Sequence, residues 1–123
     1  MTDYAKVTVS VLYSPNSDYS SPILTESLTA TYTPSEYLKL RVSAPTAGVT
    51  VDLVTYTTPT VVVIYNKDAT NYVSVAYNST ADAHTVRVAA GEATVLSDVL
   101  SANDLVLTAN TAAVVCDVIV FGD

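Results

Sequence analysis

Residues 60–96, TVVVIYNKDATNYVSVAYNSTADAHTVRVAAGEATVL, decide the fold class of this chain. Thr60 to Ile64 are five β-branched residues in a row. Such a run suits a strand covered on both faces rather than one half-open to water. Asn66-Lys67-Asp68-Ala69-Thr70-Asn71 then reads as a polar turn. Tyr72 to Tyr77 alternates, a second break spans Asn78 to Ala83, and Thr85-Val86-Arg87-Val88 alternates again. Gly91-Glu92 marks a further turn before Val95-Leu96. Strand and turn in this succession predict a mid-chain meander whose sheets the flanking segments complete.

Working toward the N-terminus, Val49, Val51 and Leu53 are expected inward, opposite Thr50 and Asp52. Ala44 to Gly48 is a turn. Tyr37 to Val42 points Leu38, Leu40 and Val42 inward and Lys39 and Arg41 outward. Leu24 to Thr33 alternates weakly, with Leu28, Ala30 and Tyr32 on one side, before a break at Pro34-Ser35. Lys6 to Val11 has strict period two, with Val7, Val9 and Val11 on one face. Toward the C-terminus, Ser97 to Asp104 is a corner or a short helical turn, with Ser97 or Asp98 as its cap. Leu105-Val106-Leu107 resumes the sheet. Ala112 to Phe121 is apolar on both sides apart from Asp117 and is expected in mid-sheet. Val62, Ile64, Val75, Val118 and Ile119 are the expected core.

About eight to ten short strands and no long helix-period segment predict an all-β, single-domain antiparallel β-sandwich over residues 1–123, jelly-roll-like. Segment 13–24 is expected to be a protruding loop. The absence of tryptophan and of paired cysteines argues against an immunoglobulin-type core. The chain is 50% hydrophobic and only 14% charged, with a formal net charge of −7. Its five basic residues, Lys6, Lys39, Arg41, Lys67 and Arg87, are scattered, so nucleic acid is not an expected partner. No apolar run approaches the ~18 residues that cross a bilayer as a helix, so no membrane partner is expected either. Met1 to Lys6 lacks a basic segment followed by an apolar one, and no secretory leader is expected. A surface of Thr, Ser, Asn, Ala and Tyr carries little charge to repel a neighbour.

Catalytic chemistry is not expected. His84 is the one histidine and lies near Ser79 and Asp82, but groups on one loop do not converge as a triad must, and a solvated loop histidine is the expectation. Cys116, the one cysteine, sits in an apolar strand and is expected to be an inert buried thiol. Asn66, Asp68 and Asn71 lack calcium-loop spacing and are expected to bond their own turn, with Gly91 supplying a positive φ. No cofactor is expected, catalytic and metal residues are none, and the sequon at Asn78-Ser79-Thr80 matters only in a secretory pathway. The low-charge surface favours a homo-oligomer. Its anchors are expected in the Tyr13–Leu24 loop, at Tyr13, Tyr19, Ile23 and Leu24, because tyrosine supplies contact area at low entropic cost.

One resemblance adds to this reading. Ile64 to Val73, the Ala90-Gly91-Glu92-Ala93 turn, Leu105 to Ala109 and Ala113 to Val120 resemble small virion proteins of tailed bacteriophages, as does Val49 to Leu53 upstream. That family's pattern carries an arginine before its Asn-x-Asp, where this chain has Tyr65. The resemblance covers a little over half the chain and none of residues 1–48. It implies a β-sandwich with no enzymatic role, located in the virion and assembled in the host cytoplasm. The expected function is a capsid decoration or cement subunit whose partners are further copies of itself, a trimer being favoured by analogy, and the major capsid protein or other virion proteins. The alternative is a lectin-like or receptor-binding module of a head or tail fibre, with Tyr13, Tyr19, Asn16 and Asp18 facing a sugar.

Overall fold

In the computed structural model residues 3–34, 36–51, 59–77, 84–96 and 105–122 are described. Ten strands occur among them: β1 (Ala5–Tyr13), β2 (Leu24–Tyr32), β3 (Glu36–Ala44), β4 (Val49–Val51), β5 (Pro59–Asn66), β6 (Val73–Tyr77), β7 (His84–Val88), β8 (Ala93–Leu96), β9 (Leu105–Ala109) and β10 (Val114–Gly122). Contacts divide the chain into two compact units, Met1–Thr33 and Pro34–Asp123. The single domain expected over 1–123 is therefore described as two units. Leu53, Ser79, Asp82 and the Ser97–Asp104 corner lie outside the described residues, as does the sequon.

The larger unit holds two four-stranded antiparallel sheets, ordered β3-β10-β5-β8 and β4-β9-β6-β7. Their apolar faces meet in one core that takes Val62, Ile64, Val118 and Val120 from the first sheet and Val73, Val75, Leu105 and Leu107 from the second. Period-two patterning produces this directly, because alternate residues of each strand point into the shared layer. On β10 the odd-numbered residues lie on the other side, so Ile119, expected in the core, is half-buried on the outer face instead. The five-residue run behaves as its composition demands: Val61, Val62 and Ile64 are fully buried and Val63 half-buried, on a strand flanked by β10 and β8.

The expected meander is corrected. Only β6 and β7 pair as sequence neighbours in this unit; β5 pairs with β10 and β8, and β6 with β9. The Asn66–Tyr72 and Ala89–Glu92 turns therefore cross between sheets rather than join partners. They meet at Asn66, the one buried polar residue among those described. Its backbone N–H donates to Glu92 O (2.8 Å) and its carbonyl accepts from Gly91 N (3.0 Å). Its amide Nδ2 donates to Asn71 O (2.9 Å) and Val88 O (3.0 Å), and Oδ1 accepts from Asp68 N (2.8 Å). Asp68 continues the turn, Oδ2 accepting from Thr70 N (3.0 Å) and Asn71 N (2.6 Å). Those two N–H groups hold its carboxyl below the ordinary carboxylate value. Asn66 and Asp68 thus bond their own turn as expected, whereas the Asn71 side chain does not: its Oδ1 accepts from Thr111 Oγ1 (2.9 Å). Gly91 has φ +76°, as the tight turn beside Asn66 requires.

In the pairing, β3 joins β10, β4 joins β9, β5 joins β8 and β6 joins β7. The pairs nest within one another, alternating between the sheets.

Candidate contact surface

The smaller unit is a single hairpin. β1 and β2 pair through nine residues each, from Ala5↔Tyr32 to Tyr13↔Leu24. Residues directly opposite share a face in an antiparallel pair, so register sorts the hairpin into two unlike surfaces. One carries Val7↔Ala30, Val9↔Leu28, Val11↔Glu26 and Tyr13↔Leu24 and is apolar except for Glu26. The other carries Lys6↔Thr31, Thr8↔Thr29, Ser10↔Ser27 and Leu12↔Thr25, with a hydroxyl–hydroxyl bond of 3.2 Å between Thr8 and Thr29. Strands that alternate Val with Thr or Ser give this amphipathy without further instruction. Toward the tip this face is exposed, Leu28 at 64% and Val9 and Val11 at over 40%, whereas at the base Val7 and Tyr32 are half-buried and Ala5 is buried.

The tip is built by its own polar groups. Ile23 N donates to Tyr13 O (2.6 Å), closing the last rung, and Tyr19 N donates to Asn16 O (3.1 Å). Ser14 Oγ donates to Ser21 O and accepts from Asn16 N; Asn16 Nδ2 donates to Ser20 Oγ; Ser20 N donates to Asp18 Oδ1. The Ser20 N–H and hydroxyl hold the Asp18 carboxyl below its ordinary value. Tyr19 takes a left-handed φ of +56°, unusual for a residue with a side chain. The outcome is a loop whose polar atoms turn on themselves and whose Tyr13, Tyr19, Ile23 and Leu24 all stand in solvent, Ile23 at 72%. Sequence reasoning singled out these four residues, and the structure brings them to one end of one hairpin.

A second exposed surface was not singled out. On the outer face of the first sheet, register sets Lys39, Ile119, Val63 and Val95 in a row beside Arg41, Asp117, Tyr65 and Ala93. Tyr37, Tyr65, Val95 and Val115 are exposed there. Arg41 Nε donates to Asp117 Oδ1 (3.1 Å), Lys67 Nζ lies 3.8 Å from Oδ2, and Lys67 also sits 5.0 Å from the centre of the Tyr65 ring. The Arg41 hydrogen bond, more than the charges of Arg41, Lys67 and Lys39, keeps the Asp117 carboxyl below its ordinary value. A signal for this surface existed in the sequence, since a mid-sheet strand apolar on both sides covers one face and leaves the other for something else.

His84, expected in a solvated loop, is instead the first residue of β7, opposite Tyr77. Cys116 is fully buried, and burial, with the Asp117 and Asp68 charges, pushes its thiol up to about 11. Among the described residues no three His, Cys, Asp or Glu side chains gather as metal ligands do, and no helix is long and apolar enough to cross a membrane. In comparisons with known proteins, no family model, curated protein or solved structure matches this chain.

Proposed function

We propose that this chain is a non-enzymatic structural protein of a bacteriophage virion, a capsid decoration or cement subunit that self-associates and binds the major capsid protein. The observation that carries the reading is the hairpin tip, a self-bonded loop that holds Tyr13, Tyr19, Ile23 and Leu24 out of the protein. Exposed tyrosines and aliphatics on an ordered loop suit contact with another protein surface. The nested strand pairing supports treating the sandwich as jelly-roll-like, and the resemblance at Ile64–Val73 and Ala90–Ala93 points to the same class. The lectin-like alternative draws less support, because Asn16 and Asp18 already bond Ser20 within the loop.

The test is mass spectrometry of gradient-purified phage particles produced by cells that carry this sequence, with cross-linking of intact particles. The chain is expected in stoichiometric amounts, with cross-links from the 13–24 segment to the major capsid protein. A chain that stays in the lysate and leaves the particles bare would reject the proposal. Binding to a glycan array at micromolar concentration without particle association would favour the alternative.

A further inference from the structure

Two strands alone make a marginal sheet in water, and an amphipathic ribbon gains from its apolar side only when something covers it. The β1–β2 hairpin has nine rungs, an apolar face centred on Val9 and Leu28, and, among the described residues, no third strand on either edge. In an antiparallel pair every second residue turns its N–H and C=O away from the partner, so each edge leaves about four or five residues asking for another strand. Natural edges are blunted by proline, bulges or several charges. Here β1 holds one charged residue, Lys6, β2 holds one, Glu26, and neither holds proline or a bulge.

We infer that the occupant is the same hairpin of further copies of this chain: three hairpins join β1 edge to β2 edge in a closed ring of antiparallel strands, with the Val9–Leu28 faces turned inward. This rests on the self-association proposed above and names its surface. The match between the two strands themselves selects a second copy over a foreign partner. An edge-to-edge joint needs a strand of matching length and alternation, and β1 and β2 match each other over their whole length. Area then decides between a pair and a ring. A face about 30 Å long and about 10 Å wide offers roughly 300 Å², well below the ~800 Å² per partner of a stable interface. Two hairpins stacked face to face therefore fall short, whereas a ring adds both edges of every hairpin, and three copies form the smallest that closes around side chains. Glu26 lies two rungs from the last one, opposite Val11, near the end where the mouth of such a ring meets water.

The experiment uses the full chain. Sedimentation velocity gives the mass, hydrogen exchange reports the β1 and β2 amides, and thermal melting follows the sandwich. Wild type is expected at three times the chain mass, with protected amides on both hairpin edges. Val9→Lys with Leu28→Lys, an opposed pair on the apolar face, is expected to run as a monomer with edge amides exposed and sandwich melting unchanged. Thr8→Lys with Thr29→Lys, the same charge on the hydroxyl face, is expected to remain trimeric. Val9→Thr with Leu28→Thr keeps good strand formers and is expected to weaken association at least tenfold without charge. The inference is overturned by a monomeric wild type at high concentration, or by apolar-face variants that associate normally. It is equally overturned if the hydroxyl-face variant alone dissociates, or if apolar-face variants abolish sandwich melting, which would mean the face is covered within its own chain. Particle binding is scored separately. A trimer that ignores particles rejects the virion reading and leaves this one standing; a particle-bound monomer does the reverse.

Discussion

Asn66 shows how one side chain can hold two crossovers. It is fully buried, and its amide satisfies the carbonyls of Asn71 and Val88 while accepting from Asp68 N. Removing it leaves the buried Val88 carbonyl and the part-buried Asn71 O and Asp68 N without this partner, a buried group so stranded costing about 1–3 kcal/mol. Asn66→Leu should therefore lower unfolding free energy by about 3 kcal/mol in urea titration. Asn66→Asp should cost at least as much at pH 7, because a carboxylate would face two carbonyl oxygens; a variant that melts like wild type would deny Asn66 its role at the corner. Cys116, with its buried thiol titrating at about 11, should resist iodoacetamide at pH 8 in the native protein and react promptly in denaturant. Asp117 yields a prediction of sign. Its folded value lies below the ordinary 3.8, so the unfolded chain binds the proton first. The stability it lends is complete above that ordinary value and is lost as pH falls through the lower folded one. Melting temperature should thus be flat with respect to this group from pH 7 to 5 and drop below about 4, and Asp117→Asn should flatten the drop. Asp68 and Asp18, both also lowered, act in the same direction.

Among the elements, β10 separates what period two reveals from what it conceals. Its alternation told which residues share a side, but not that the even-numbered side alone would meet the second sheet. Val118 is fully buried and Ile119 outward, because a strand apolar on both faces meets the second sheet on only one of them. Val118→Asp should abolish soluble expression, since it buries an unpaired carboxylate costing several kcal/mol, whereas Ile119→Thr should cost about 1 kcal/mol or less, measured by denaturant melting. Strand faces on β1, β3 and β9 were legible because side-chain direction is a local property. Partners were not. Asn66 to Asn71 is equally compatible with a hairpin turn and with a crossing between sheets; the choice lies with β8, β9 and β10, far away in sequence. The exposure of the hairpin tip was legible from its composition, whereas the exposed apolar stretch of the hairpin emerged only once the Val9↔Leu28 register was known.

At the scale of the molecule, every buried residue of the main core cluster lies between Ala44 and Val120. A chain beginning at Pro34 should accordingly fold and melt cooperatively by circular dichroism, with a β-type spectrum and no self-association; a molten or insoluble product would show that the first 33 residues are needed for the sandwich. The nesting of its strands has a consequence for how the protein comes into being. β3 is the first strand of the sandwich to leave the ribosome, yet its hydrogen-bonding neighbour is β10, the last, with Glu36 opposite Gly122. Closing that long loop is entropically unfavourable until the inner rungs exist. The innermost pair, β6 with β7, is the one local starting point, and zipping must run outward from it. Synthesis therefore delivers a waiting ribbon, and the sandwich snaps shut only when its final strand arrives.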